Sequence, residues 1–99
     1  MARYDIYPSF ANRGYLLDVQ TDLLEGLNTR TVVPLRPVSA NTKRVKRLNP
    51  IFVIEGSRYA MFTHLIVSIP RSGLGEPKLN VLERHDDIRA ALDMLFLGF

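Results

Sequence analysis

Two histidines, His64 and His85, are the first candidates for acid–base chemistry in this sequence. His64 lies in a strand-like stretch, whereas His85 lies among acidic residues where a helical pattern begins. Neither belongs to an HExxH motif, a paired metal-ligand spacing or a nucleophile elbow. Arg58 and His64 could act as an acid–base pair, but on one straight strand they would lie roughly 20 Å apart. We therefore expect no catalytic site, no metal site and no cofactor.

The composition is that of one small globular domain. The chain has 99 residues, of which 46% are hydrophobic and 23% charged, so we expect a single domain over residues 1–99. The absence of cysteine excludes disulfides and thiolate metal sites. The first residues lack the apolar run of a signal peptide, and the longest aliphatic stretch, 65–69, is far shorter than the roughly 20 residues that span a bilayer. We therefore expect a cytoplasmic protein with no membrane partner.

Short strand-like segments fill the first two thirds of the chain. Five of them have β-branched or alternating apolar residues: 4–7, 15–20, 29–35, 51–54 and 58–69. Ile51–Ile54 is apolar on both faces, which predicts a central strand, and the turn at 55–57 predicts a hairpin with the strand that follows. Pro34 indicates a strand end, an edge or a bulge. Together the segments predict a compact barrel or a strongly bent sheet.

The end of the chain has a different periodicity. Apolar residues recur at helical spacing from Asp86 onward, at Ile88, Ala91, Leu92, Leu95, Phe96 and Phe99. Acidic residues lie at the start of this stretch, where a helix dipole favours negative charge. Gly98 lies where a helix-capping glycine is expected. The spacing therefore predicts an amphipathic helix that ends close to the C-terminus.

The last five residues, 95–99, are unusually apolar for a chain end. Phe96 and Phe99 must either pack on the protein's own barrel, pack across a dimer axis, or remain exposed as a contact patch. The sequence pattern leaves these alternatives open.

Five stretches occur in order between Tyr15 and Phe99: 18–24 (DVQTDLL), 32–35 (VVPL), 48–51 (LNPI), 59–70 and 87–99. In these stretches the chain resembles the CcdB family, the toxins of bacterial toxin–antitoxin modules. The resemblance implies a mainly β (α+β) fold, a small SH3-like β-barrel with a C-terminal α-helix, shared with the MazF toxins, and it implies a homodimer. It also implies a toxin that binds the A subunit of DNA gyrase and traps gyrase on cleaved DNA. A CcdA-like antitoxin would neutralise it, and DNA would be met only through gyrase or the antitoxin.

The family's gyrase contacts lie near the end of the helix and in the tail. Carried over by position, they are Asp93, Phe96, Leu97, Gly98 and Phe99, with Leu23 and Leu24 nearby. Leu97 stands where the best-known member has a tryptophan that stacks on an arginine of gyrase, so the π face of that contact is missing. Asp93 stands where a neutral amide is expected, and Arg89, one turn earlier, is placed to neutralise it.

The sequence predicts two loops, a basic one over 36–49 between two strands and one over 71–77 after the last strand. The basic loop carries Arg36, Lys43, Arg44, Lys46 and Arg47. These cations are either a solvated surface or, as a sharper hypothesis, attract an acidic antitoxin tail or DNA beside a trapped gyrase complex. The net charge of +3 suits an acidic partner of either kind.

The gyrase toxin is the leading interpretation, and two alternatives remain. A MazF-like endoribonuclease would need a cluster of acid, base and cation that the sequence does not supply. A drifted CcdB homologue would bind an antitoxin without poisoning gyrase, in keeping with the missing tail tryptophan.

Overall fold

A computed structural model describes residues 2–9 and 14–99. Within these residues the chain forms seven β-strands and one α-helix: β1 (Asp5–Pro8), β2 (Tyr15–Asp18), β3 (Thr29–Pro37), β4 (Ile51–Ile54), β5 (Ser57–Met61), β6 (Val67–Pro70), β7 (Leu79–Asn80) and α1 (His85–Leu97). Short 3₁₀ turns at Asp22–Leu24, Thr63–Leu65, Arg71–Gly73 and Leu82–Arg84 connect several of these elements.

The strands form one antiparallel sheet in the order β4-β5-β3-β2-β1-β7, and β6 adds to β3. The sheet curls into a half-barrel around a core that includes Leu17, Leu35 and Phe52, and α1 contributes Ile88 and Ala91 to the same core. This architecture confirms the predicted mainly β fold with one C-terminal helix. The helix prediction is confirmed within one residue at its start.

The longest strand, β3, changes its neighbour partway along, and Pro34 lies at the change. Val32 pairs with Val67 of β6, whereas Leu35 pairs with Met61 of β5. The carbonyl of Pro34 accepts from the amide of Phe62 at 2.9 Å, so the nitrogen of Pro34 faces the gap between β6 and β5. Because no ladder partner occupies that gap, the missing N–H of proline costs no hydrogen bond. Pro34 is therefore buried inside a strand, and not at a strand end or sheet edge.

Two strand predictions are corrected by the structure. Ile51–Ile54 is an edge strand and not a central one, and the Val53 side chain is 65% exposed. The predicted strand over 58–69 is broken into β5, a 3₁₀ turn and β6, because its two halves pair with different parts of β3. The predicted hairpin is confirmed: Glu55 (φ 52°) and Gly56 (φ 80°) form the two-residue turn between β4 and β5.

Side chains close the half-barrel where the backbone ladder ends. Lys78, before β7, forms a 2.5 Å ion pair with Glu55 in the β4–β5 turn. The Arg84 guanidinium donates to the carbonyl of Ile51 at 2.9 Å and lies 4.2 Å from the ring centroid of Phe52. These contacts tie the first residues of the helical region to the edge strand β4.

The hydroxyl of Tyr7, on β1, is buried beside carboxylates. It donates to Asp5 at 3.4 Å, and burial together with the charges of Asp5 and Asp18 raises the pKa of Tyr7 to about 12. The neutral phenol is therefore favoured in the folded state. The resulting stabilisation is complete below about pH 10, where an unfolded tyrosine is still protonated, and it is lost as the pH rises through about 12.

We expect the free energy of unfolding to fall between pH 10 and pH 12 by at most about 2.7 kcal/mol through Tyr7, the equivalent of two pKa units. Urea denaturation at several alkaline pH values measures this fall. Tyr7→Phe is the matched control, since it cannot ionise, and its fall should be shallower. Equal slopes for the two proteins would contradict the assignment.

Candidate partner-binding site

The C-terminal helix ends at a glycine cap. Gly98 has a left-handed backbone (φ 80°), and its amide donates to the carbonyls of Asp93 and Met94 at 3.1 and 3.2 Å. Glycine adopts this conformation without a steric penalty, so it satisfies carbonyls that the helix end leaves free. The predicted cap is confirmed, and it directs Phe99 away from the helix axis.

The side chains around this cap face solvent. Phe96, Leu97 and Phe99 are 68%, 59% and 73% exposed, whereas Ile88 and Ala91 in the first half of α1 are fully buried. The alternative in which Phe96 and Phe99 pack on the protein's own barrel is therefore wrong. The tail is an apolar patch on the protomer surface, which is typical of an interaction site.

The other end of α1 is fixed to the sheet. The Tyr4 hydroxyl lies 2.5 Å from Nδ1 of His85, and the two rings lie 5.5 Å apart. Burial raises the pKa of Tyr4, with the nearby Arg3 and Arg89 opposing the shift. The hydroxyl thus stays protonated and shares a hydrogen bond with Nδ1 of His85. The helix is held at its start while its end projects with an exposed apolar tail.

Asp93, the remaining predicted residue on the helix, is half-buried and has no cationic partner. The three ion pairs among the described residues are Asp18–Arg30, Lys78–Glu55 and Arg84–Asp87. The expected neutralisation of Asp93 by Arg89 is therefore not realised as an ion pair. Asp93 adds unpaired negative charge near the helix C-terminus, where the dipole disfavours it.

Leu23 and Leu24 lie on a 3₁₀ turn, Asp22–Leu24, that the side chain of Gln20 attaches to β3. Leu23 is 92% exposed, and Leu24 is exposed as well. The Gln20 side chain accepts from the amide of Thr31 and donates to the carbonyl of Leu24, each at 3.1 Å. This one amide group fixes the turn to β3. Leu27, three residues beyond the turn, is also exposed and was not among the predicted residues.

A buried ion pair supports the same turn. The Asp18 carboxylate lies 2.6 Å from Nη2 and 2.7 Å from Nε of Arg30, and neither side chain is exposed. Burial raises the pKa of Asp18, against the opposing influence of the Arg30 guanidinium. Asp18 also accepts from the amide of Gln20 at 3.0 Å. The 18–20 segment is thus a structural support for the exposed leucines and not itself a contact surface.

The predicted gyrase-contact residues form two groups, the tail on α1 and the turn at Leu23 and Leu24. Among residues 2–9 and 14–99, no hydrogen bond, ion pair or ring contact joins the turn to the tail. Each group is supported separately, the tail by the start of α1 and the turn by β3.

The basic loop is exposed but anchored. Lys43, Arg44, Lys46 and Arg47 all face solvent, as the sequence predicts. The buried Asn49 accepts from the amide of Val45 at 2.9 Å and donates to the carbonyl of Met61 at 3.0 Å. The Thr63 hydroxyl donates to the carbonyl of Leu48. Between the loop and the 3₁₀ turn at Thr63–Leu65 lies an open cleft of about 330 Å³, lined by Lys43, Arg44, Val45, Leu48, Asn49 and His64.

His64 differs from its prediction as a strand residue. It lies in the Thr63–Leu65 3₁₀ turn, is exposed, and stacks on Phe62 with ring centroids 5.7 Å apart. In the described part of the chain, His, Cys, Asp and Glu form no group of three or more that could hold a metal ion. Across the same residues, none of the helices has the length and apolar character needed to cross a bilayer.

Comparison with protein families agrees with the resemblance noted in the sequence. The family model described as CcdB protein matches residues 3–98, nearly the whole chain. The match includes the exposed turn, the basic loop and all but the last residue of the tail. The chain therefore belongs to the CcdB family, the toxins of type II toxin–antitoxin systems.

Proposed function

We propose that this toxin binds the A subunit of DNA gyrase through the end of α1 and the tail, and traps gyrase on cleaved DNA. The observation that carries the proposal is the exposed group Phe96, Leu97 and Phe99 at the end of a helix whose start is fixed in the core. The DNA-cleaving chemistry then belongs to gyrase, and the toxin needs only to bind.

The energetics favour such a contact. Complete burial of one large apolar side chain contributes about 1.5–3 kcal/mol. Phe96, Leu97 and Phe99 are already exposed, so binding need not remove them from the toxin's own core. The glycine cap at Gly98 fixes the backbone between Leu97 and Phe99, which reduces the entropy lost on binding.

Leu23 and Leu24 supply the second contact in this proposal. Their turn is held by Gln20, so both leucines are presented on a rigid backbone. A homodimer would carry two copies of the tail and of the turn. Two linked sites bind one symmetric target more tightly than either site alone.

The test is a reaction of gyrase with supercoiled plasmid, ATP and the purified toxin, stopped by denaturation, in which the amount of linear DNA is measured. A poison raises the linear fraction above that produced by gyrase alone. A folded toxin that gives no rise would overturn the proposal and leave a CcdB homologue that binds its antitoxin without poisoning gyrase.

We further propose that a CcdA-like antitoxin neutralises the toxin and that its acidic residues approach the basic loop. Lys43, Arg44, Lys46 and Arg47 support this, because they are exposed and none of them forms an ion pair in the described structure. The Arg44 guanidinium donates to the carbonyl of Asn49 at 3.2 Å, a contact that leaves its charge unneutralised. Cations without an ion-pair partner attract an acidic chain.

The double substitution Lys43→Glu with Arg44→Glu should weaken antitoxin binding by about tenfold or more at low salt, and by less at high salt, because salt screens exposed charges. Isothermal titration calorimetry at two salt concentrations measures the change. Arg71→Glu with Arg89→Glu changes the net charge equally and is the matched control. Unchanged affinity at low salt would contradict the role of the basic loop.

A further inference from the structure

The charges of this chain are unevenly distributed along the sequence. Six cations lie within residues 36–58, namely Arg36, Lys43, Arg44, Lys46, Arg47 and Arg58, while the same segment contains one acid, Glu55. Glu55 is already paired with Lys78. The rest of the chain has seven Lys or Arg against nine Asp or Glu. Residues 36–58 therefore carry a large excess of positive charge, whereas the rest of the chain is slightly acidic.

The fold brings these cations together. Arg36 on β3 pairs with Ala60 on β5, and the amide of Val38 donates to the carbonyl of Arg58. The register therefore places Arg36 and Arg58 on one face of the β3–β5 pair. The Asn49 side chain fastens the basic loop to the end of β5. All six cations are exposed and none forms an ion pair among the described residues.

A stack of planar groups leads from this face to the cleft. The Arg36 guanidinium carbon lies 5.1 Å from the ring centroid of Phe62, and Phe62 stacks on His64 at an interplanar angle of 25°. His64 lines the cleft together with Val45 and Leu48. The cleft thus has a planar ring and aliphatic groups inside, with the cationic Lys43 and Arg44 beside them.

We propose that this cleft binds a single-stranded nucleic acid directly. Lys43 and Arg44 contact the phosphates, while a base packs on His64 and against Val45 and Leu48. Stacking on a ring combined with cations along the backbone is how proteins bind single strands. An acidic peptide would use the cations but would gain little from the planar stack, so the observations favour the nucleic acid. This departs from the expectation that DNA is met only through gyrase or the antitoxin.

The cleft does not read base edges through Asn49. Its side-chain oxygen accepts from Val45 and its nitrogen donates to Met61, and the residue is buried, so the amide is not presented to a bound base. Stacking and phosphate contacts accept every base. Binding is therefore weakly dependent on sequence. It uses no residue of the tail or of the Leu23–Leu24 turn, so it stands independently of gyrase poisoning, although an antitoxin on the basic loop would compete with it.

The experiment measures fluorescence anisotropy of a labelled mixed-sequence DNA strand of about 12 nucleotides, a length within the usual site size, over a range of salt concentrations. We expect Lys43→Gln with Arg44→Gln to weaken binding about tenfold at low salt and to reduce the slope of log affinity against log salt by about 1.4. Arg71→Gln with Arg89→Gln removes the same charge outside the basic segment and should leave both quantities nearly unchanged.

Substitutions at His64 distinguish the contribution of stacking to binding from the contribution of charge. His64→Ala should weaken binding at least about fivefold, whereas His64→Phe, which keeps a ring, should stay within about twofold of the original protein. Absence of binding by the original protein, equal losses in the Arg71/Arg89 control, or unchanged binding in His64→Ala would each overturn the proposal. A labelled oligoglutamate that binds as tightly and loses as much with His64→Ala would overturn it in favour of an acidic polypeptide.

Discussion

Deletion of Leu97–Phe99 should abolish the toxin-dependent rise in linear DNA while leaving the protein folded. The three residues contribute no buried side chain, so their removal costs the two hydrogen bonds of the Gly98 cap and the helical amide of Leu97, the last residue of α1. We expect the free energy of unfolding to change by less than about 1 kcal/mol, since the freed carbonyls are satisfied by water. The plasmid cleavage reaction and urea denaturation measure the two quantities separately.

A substitution pair makes the same test without shortening the chain. Phe96→Ala removes an exposed ring from the tail, and Leu82→Ala removes an exposed side chain from the 3₁₀ turn before the helix. Both changes reduce exposed apolar area, so neither should destabilise the fold appreciably. Phe96→Ala should reduce poisoning strongly and Leu82→Ala should not. Equal poisoning by the two variants would rule out the tail as the contact.

Arg30→Met should lower the free energy of unfolding by about 3–5 kcal/mol, the largest change we expect from one substitution. The change leaves the Asp18 carboxylate buried without its partner, since both side chains are fully buried in the folded protein. Urea denaturation followed by circular dichroism measures it. Arg58→Met, at an exposed position, should change stability by less than about 0.5 kcal/mol.

The double variant Asp18→Leu with Arg30→Met tests the cause. Two apolar side chains in place of the ion pair remove the buried charge altogether, and such replacements are often neutral or stabilising. The double variant should therefore recover most of the stability lost in Arg30→Met. A single variant as stable as Arg58→Met, or a double variant as unstable as the single, would contradict the account of the buried pair.

The helix and the hairpin could be predicted from the sequence because both depend on neighbouring residues. The apolar spacing from Ile88 to Phe99 and the glycine at position 98 fix the helix locally. Glu55–Gly56 likewise fixes the turn between β4 and β5. The short strand-like segments predicted a compact barrel or a strongly bent sheet, and the family resemblance added the SH3-like topology and the gyrase contacts, which no local pattern specifies.

The sequence-based expectations were wrong where residues far along the chain determine the local structure. Ile51–Ile54 has the composition of a central strand, but its outer edge is covered by Arg84, which is 33 residues away. Asp18 alternates with apolar neighbours as a solvent-facing residue would, yet it is buried because Arg30 reaches it from β3. The break between β5 and β6 follows from the length of β3, because β6 pairs with its first half and β5 pairs with its second half.

Arg84 also protects the protein against aggregation. An edge strand with unpaired backbone groups and an exposed valine, such as Val53, is a template to which a strand of another molecule can add. The Arg84 guanidinium donates a hydrogen bond to the carbonyl of Ile51 and lies over the ring of Phe52. A bulky charged group therefore blocks part of the outer edge of β4. The same side chain that closes the half-barrel thereby helps to keep the toxin from polymerising through its sheet.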